Sequence, residues 1–363
     1  MAENKYKIGI TQGDPNGIGW EVILKALADS RMAEFFIPVI YGSPEAASFY
    51  KTKIKELDEI QFNIVQSARD ARRGKLNIVP CGKISRVEPG QISEEAGRAA
   101  VEALRTSAAD LKEGLIDAVV TAPFAKQSVQ SDDFHYTGHT EFFDAEFEGK
   151  AMMILCSETL RVGLVTKHIP VAEIPQNISK EKIVEDLYTL RQTLKQDFGI
   201  VEPRIAVMAL NPHAGDGGLL GKEEEEIIRP AIVEAFDHGV LAFGPFAADG
   251  LFAGGGYTKY DGILAMYHDQ GLAPFKSLSP DGVNFTAGLD CIRTSPDHGT
   301  AFDIAGQDKA DAQSMRNALF MTLDVIRHRK TWAEMTRNPL PHAERERSHR
   351  DMSIKDLPQT DRE

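Results

Sequence analysis

The chain has 363 residues, 42% hydrophobic and 26% charged, with 41 Lys and Arg against 54 Asp and Glu for a net charge of −13. That length provides one large or two moderate domains, and the negative excess argues against nucleic acid as a main partner, so any anionic ligand must be held by a local cluster. Cys81, Cys156 and Cys291 are odd in number and widely spaced, which makes neither a disulfide framework nor a paired-cysteine metal site; with no long apolar run at the start and none of about 18 residues elsewhere, a cytoplasmic protein that does not span a membrane is expected.

Short apolar, β-branched runs at 6–11, 35–42, 76–80, 116–123, 151–156, 160–166, 204–210 and 262–267 have the character of strands buried on both faces. Between them, helices are expected at 17–28, 92–113, 179–198, 222–238 and 310–329. In the second of these, Ile92, Ala96, Ala99, Ala103, Leu104, Ala108 and Leu111 keep an approximate helical period, with Ser93 as cap and Gly114 as stop. The alternation is that of an α/β protein. The runs 151–156 and 160–166, joined by a few polar residues, predict a hairpin and hence an antiparallel portion in a second, mixed-sheet domain. Residues 275–306 show almost no regular period, and the charged, proline-dotted end is expected to be a mobile tail.

In open α/β sheets ligands collect beyond the carboxyl ends of strands, and several unusual stretches sit there. TQGDPNGIGWE (11–21) follows the first strand; its glycines match neither dinucleotide nor P-loop fingerprints, so a tight turn and an anion contact both remain open. FHYTGHTEFF (134–143) is either a polar loop, with Thr140 opening a helix, or a substrate-reading loop in which His139 and Thr140 donate to anionic oxygens. His168, His213 and His268 each follow an apolar run by a few residues. One such histidine is ordinarily a hydrogen-bonded loop residue, but three in equivalent places can form a face toward a divalent ion, with Asp216, Asp249 and Asp269 as alternative ligands or orienters. Lys276, Asn284 and Arg293 supply two cations and an amide suited to phosphate or carboxylate, or else belong to a solvated loop; His298 or Asp303, in DHGTAFDIAG, suits a nucleotide or a helix-entry turn.

In order along residues 6 to about 330, ITQGDPNGIGWE, TGHTEFF, LNPHAGDGG, AMYHDQGLAPFK, GVNFTAGL and IRTSPDHGTA resemble the pattern of the 4-hydroxythreonine-4-phosphate dehydrogenase family of pyridoxal phosphate biosynthesis. GDPNGIGWE and HGTAFDIAG also look like segments of the wider isocitrate and isopropylmalate dehydrogenase-like fold. The resemblance implies two α/β/α domains with mixed sheets and a cleft between them: 1–128 with 295–330 on the cofactor side, 129–294 for substrate, metal and dimerisation, and 331–363 as the tail. It implies His168, His213 and His268 as ligands of one divalent metal (Zn, Co, Mg or Mn) at a site shared in a homodimer. His139, Thr140, Lys276, Asn284 and Arg293 are implied as substrate contacts, with His298, Gly299, Asp303 and Gly17 toward NAD or NADP.

The implied reaction oxidises 4-phosphohydroxy-L-threonine and decarboxylates the product to 3-amino-2-oxopropyl phosphate, with Lys276 and Asp249 as catalytic candidates. A paralogous dehydrogenase of 4-phospho-threonate or 4-phospho-erythronate is the near alternative, and a phosphate acyltransferase the distant one. The chain departs from the family pattern at Gln12 and Trp20, where proline is common, at Lys167, where a second threonine is usual, and in the extension past residue 330.

Overall fold

Lys7–Thr11 reads KIGIT, four of its five residues are buried, and this strand, β1, lies within the sheet between two parallel neighbours. The computed structural model describes residues 5–340 apart from 56, 58 and 59. The remaining strands are β2 (Ile37–Gly42), β3 (Phe62–Ile64), β4 (Leu76–Pro80), β5 (Ala118–Thr121), β6 (Gly149–Cys156), β7 (Arg161–Leu164), β8 (Arg204–Met208), β9 (Leu241–Phe246), β10 (Gly262–Ala265), β11 (Val283–Leu289) and β12 (Arg293–Pro296). Helices are α1 (Gly19–Ala26), α2 (Met32–Phe35), α3 (Pro44–Lys53), α4 (Glu94–Lys112), α5 (Lys126–Val129), α6 (His139–Glu146), α7 (Lys180–Gln196), α8 (Arg229–Asp237), α9 (Ala248–Phe252), α10 (His268–Leu278) and α11 (Gln313–Thr336).

All twelve strands join one mixed sheet in the order β3-β4-β2-β1-β5-β12-β11-β6-β7-β10-β8-β9. The outer parts are parallel, whereas β12, β11, β6 and β7 pair antiparallel in the middle. The predicted hairpin is therefore present, as β6 and β7 with Ile154 opposite Gly163. Because the three pairings β12–β11, β11–β6 and β6–β7 each reverse the direction, the parallel group β7-β10-β8-β9 runs opposite to the group ending in β5 and β12. α4 begins as its sequence predicts: Ser93 Oγ accepts from the amide of Ala96, and Gly114 follows with φ +67°. Ile92, read as part of the apolar stripe, is instead exposed, since it precedes the cap.

Two expectations change. Residues 275–306 carry β11 and β12, whose pattern is hidden because interior strands bury successive residues on both faces and β11 is interrupted by an irregularity between Ala287 and Leu289. The segment from 331 does not begin as a tail: α11 continues to Thr336, with Lys195 over the Trp332 ring at 5.6 Å. Residues 341–363, where most of the expected tail falls, lie outside the described residues. Among the described residues no helix is long and apolar enough to cross a membrane.

Candidate active site

Arg293, first residue of β12, is 2% exposed in the middle of the sheet. Its Nε and Nη2 donate to Thr121 Oγ1 at 3.1 and 2.7 Å, and its Nη1 donates to Thr286 Oγ1 at 3.0 Å. Hydroxyls orient the guanidinium but carry no countercharge; burial pulls its pKa down to about 10, with Glu141 opposing. A buried fork with donors to spare and no bonded carboxylate is an anion receptor.

Strand register builds the floor around it. Thr286 stands opposite both Arg293 and Met153, and two residues along, Asn284 stands opposite Ser295, so these side chains share one face. Arg293, Met153, Asn284 and Ser295 line a cavity of about 320 Å3 with Thr121, Lys126, His139, Thr140, Glu141, His168, Lys276 and the Asp297–Gly299 segment, and Thr286 supports Arg293 from behind it. All five predicted substrate residues are thus together. A larger cavity of about 650 Å3, lined among others by Cys156, Arg161 and Phe320, contains none of the predicted site residues.

The walls are set locally. α6 starts after Gly138, so Thr140, expected to open the helix, is its second residue; its fellow His139 stacks on Phe124 at 3.9 Å. Burial holds the His139 imidazole well below its usual pKa, and Arg293 and Lys126 push the same way. Lys276 Nζ lies 3.3 Å from Asp297, whose carboxyl burial pushes up and Lys276 pulls down. Two buried polar atoms of the cavity residues have no protein partner, Asn284 Oδ1 and His298 Nε2, as suits groups that meet a ligand.

The three candidate metal ligands follow β7, β8 and β10, adjacent parallel strands whose carboxyl ends share one edge. Past the strands, Thr166 N and Oγ1 both donate to Met266 O, at 3.2 and 2.7 Å, and two residues beyond each lie His168 and His268, with ring centroids 5.6 Å apart. Nδ1 of His268 is 2.7 Å from Asp269 Oδ1; Nδ1 of His168 is 4.0 Å from Glu141. Burial lowers the His168 pKa, which keeps the ring in its neutral, ligating form. Gln270 bonds Met266 N and Ala209 O, drawing the end of β8 to that of β10. Beyond it, buried Glu224 accepts from the amides of Leu210 and Asn211, and His213 opens a run of five left-handed residues. The paired imidazoles suit a divalent ion. Among the described residues no cluster of three His, Cys, Asp or Glu side chains is arranged to hold one, so His213 is not gathered with the pair in a single chain.

Other candidates lie elsewhere. Asp249, in α9 after edge strand β9, is exposed and outside the cavity. Asp303 is exposed as well. Gly17 lies against the 297–306 segment: a Cβ there would sit 2.9 Å from Thr300 O, and Ile18 N donates to that oxygen at 3.0 Å. The two stretches resembling the wider dehydrogenase fold therefore meet. Lys167 turns its ammonium to Ala151 O at 2.9 Å.

Residues 34–322 match the model of the family described as pyridoxal phosphate biosynthetic protein PdxA. The chain belongs to that family. The 4-hydroxythreonine-4-phosphate dehydrogenase of Bacteroides thetaiotaomicron is 51% identical over 345 residues, 94% of either chain. The crystal structure of the enzyme of that name from Klebsiella pneumoniae is similar with a TM-score of 0.79 and 33% identity, over 90% of this chain and 99% of that one. A phosphotransacetylase from Streptococcus pyogenes, at TM-score 0.50 and 13% identity over 89% and 94%, shares the fold alone. Family membership makes this chain an oxidoreductase that uses a nicotinamide cofactor.

Sequence reasoning passed over Lys126, Thr121, Glu141 and Asp297 as site residues. Applying the strand-end rule to β5, which runs into TAPFAK, would have found the first two. Thr286 carried no signal, since only register places it under Arg293.

Proposed function

We propose that this member of the PdxA family oxidises 4-phosphohydroxy-L-threonine with NAD or NADP and decarboxylates the product to 3-amino-2-oxopropyl phosphate, acting in the cytoplasm as a homodimer. The observation that carries the reading is the cavity built on Arg293, a buried cation with hydroxyl partners only, ringed by His139, Thr140, Lys276 and Asn284. We assign 1–128 with 295–330 to the coenzyme and 129–294 to substrate, metal and dimerisation.

Arg293, Lys276 and the His139–Thr140 pair hold the substrate's phosphate, and remote binding energy becomes orientation of the reacting carbon. Neutral His139 donates a hydrogen bond without a countercharge of its own. His298 and Gly299, with Asp303 and Gly17 behind them, are assigned to the coenzyme, which supplies the hydride acceptor; the partnerless Nε2 of His298 fits that contact. His168, His213 and His268 are assigned to a divalent ion, Zn, Co, Mg or Mn, which supplies Lewis-acid polarisation of the substrate's oxygen when bound. Lys276, inside the cavity, and Asp249, outside it in a single chain, are the candidate proton carriers, with a lysine of the partner subunit as a further one in a homodimer. Glu141 and Asp297 bring two carboxylates beside the cations, which suits a substrate bearing an ammonium better than its hydroxy-acid analogue.

The test is the purified protein with each coenzyme, a metal panel and three substrates: 4-phosphohydroxy-L-threonine, 4-phospho-threonate and 4-phospho-erythronate. Reduced nicotinamide is expected to appear at about 340 nm, with the amino acid having the highest kcat/KM; preference for a hydroxy acid would reassign the substrate, and no reduction with any of them would sink the proposal.

A further inference from the structure

We propose that Lys126 is a third phosphate-binding cation of this site, acting with Arg293 on the substrate phosphate across His139; the inference rests on the substrate class read above. Among the cavity's charged side chains, Arg293 and Lys276 are positive and Glu141 and Asp297 negative, and Lys276 already faces Asp297 at 3.3 Å. Without Lys126 the charges of these two cations and two carboxylates cancel. With it, the cavity is positive on a chain whose net charge is −13. A phosphate monoester brings about −1.5 to −2 charges, so Lys126 supplies the side-chain positive charge that the cavity carries in excess of its carboxylates.

Placement supports the role. β5 ends at Thr121, the receptor of Arg293, and five residues later the chain reaches Lys126 at the start of α5. Between them Phe124 stacks on His139 at 3.9 Å, which ties the backbone carrying Lys126 to the imidazole. The ammonium and the guanidinium both push the His139 pKa down, and all three side chains line the same cavity. Lys126 itself is exposed at the rim, and among the described residues no carboxylate lies within 4.0 Å of its ammonium. Two cations, an imidazole N–H and the Thr140 hydroxyl on one cavity supply the kinds of donor a phosphate dianion takes.

The experiment uses the full-length protein and its Lys126→Gln and Lys126→Arg variants, with inorganic phosphate as the calorimetric probe and 4-phosphohydroxy-L-threonine in the assay. The glutamine variant should weaken phosphate binding and raise KM roughly tenfold, with kcat changed less than about threefold, and arginine should restore most of both. A wild-type melting temperature in both variants separates this from misfolding. Unchanged phosphate affinity in Lys126→Gln overturns the proposal, as does a loss confined to kcat. Failure of the wild type to reduce coenzyme would instead overturn the functional reading, and the phosphate titration would still decide the role of Lys126.

Discussion

Gln12 and Trp20, read from the sequence as departures from the family pattern, are partners in the folded chain. Trp20 Nε1 donates to Gln12 Oε1 at 3.0 Å, the amide of Ser43 donates to the same oxygen at 2.9 Å, and Gln12 Nε2 reaches Ala99 O at 3.3 Å. Both side chains are 0% exposed. A buried donor left without its acceptor costs about 1–3 kcal/mol, so Gln12→Leu, which strands the indole of Trp20 and the amide of Ser43, should lower stability by about 2–6 kcal/mol by that measure. Trp20→Phe should cost less, and a double-mutant cycle by urea unfolding should give a coupling of about 1 kcal/mol; additive losses would show that the two side chains do not support each other. Read singly, each residue looked like a departure. Only the turn that brings position 12 beside position 20 makes them one compensated unit, and nothing in their spacing announces it.

At the scale of elements, α4 and α5 approach so closely at Gly97 that a Cβ there would lie 1.8 Å from Ser128 O. Glycine is required at this contact because backbone fills the space a side chain would occupy. Gly97→Ala must therefore push α5 outward, together with Lys126. The expected outcome is a lower melting temperature, by several degrees, and a raised KM for the phosphorylated substrate; an unchanged KM alongside a lowered melting temperature would show that α5 moves without carrying the rim of the site. Eight strands, five helices and the β6–β7 hairpin were legible as apolar runs and helical periods, since each buries a regular face. β3, β9, β11, β12 and the remaining helices, α3 and α10 among them, were not, because their burial follows from neighbours distant in sequence. The substrate residues were legible as chemistry, through the cations and hydroxyls of TGHTEFF and of 276–293, but their convergence on a sheet face was not. The strand-end rule points to the sheet's edge, and the antiparallel strands in the middle present Asn284, Thr286 and Arg293 on the face instead.

For the molecule as a whole, Cys81, Cys156 and Cys291 are buried in three different hydrophobic clusters, and burial pushes each thiol up to about 12. The thiolate is the reactive form, so at pH 8 the folded protein should resist a maleimide or disulfide reagent. The continuous sheet through all the strands predicts that, in moderate denaturant, the three thiols become reactive at one common rate, as read by mass spectrometry of labelled peptides. Earlier labelling of Cys81 than of the other two would reveal separate unfolding of the amino-terminal part.

The seat of β12 between β5 and β11 also bears on how the protein is made. Thr121 leaves the ribosome 172 residues ahead of Arg293, and at about 5–20 residues per second roughly 10–30 s pass before its neighbour exists. During that interval the inner edge of β5 is an open row of amides and carbonyls, a template for any passing strand. The nascent chain is thus most prone to aggregate midway through translation, and the last strand to be synthesised is the one that seals the centre.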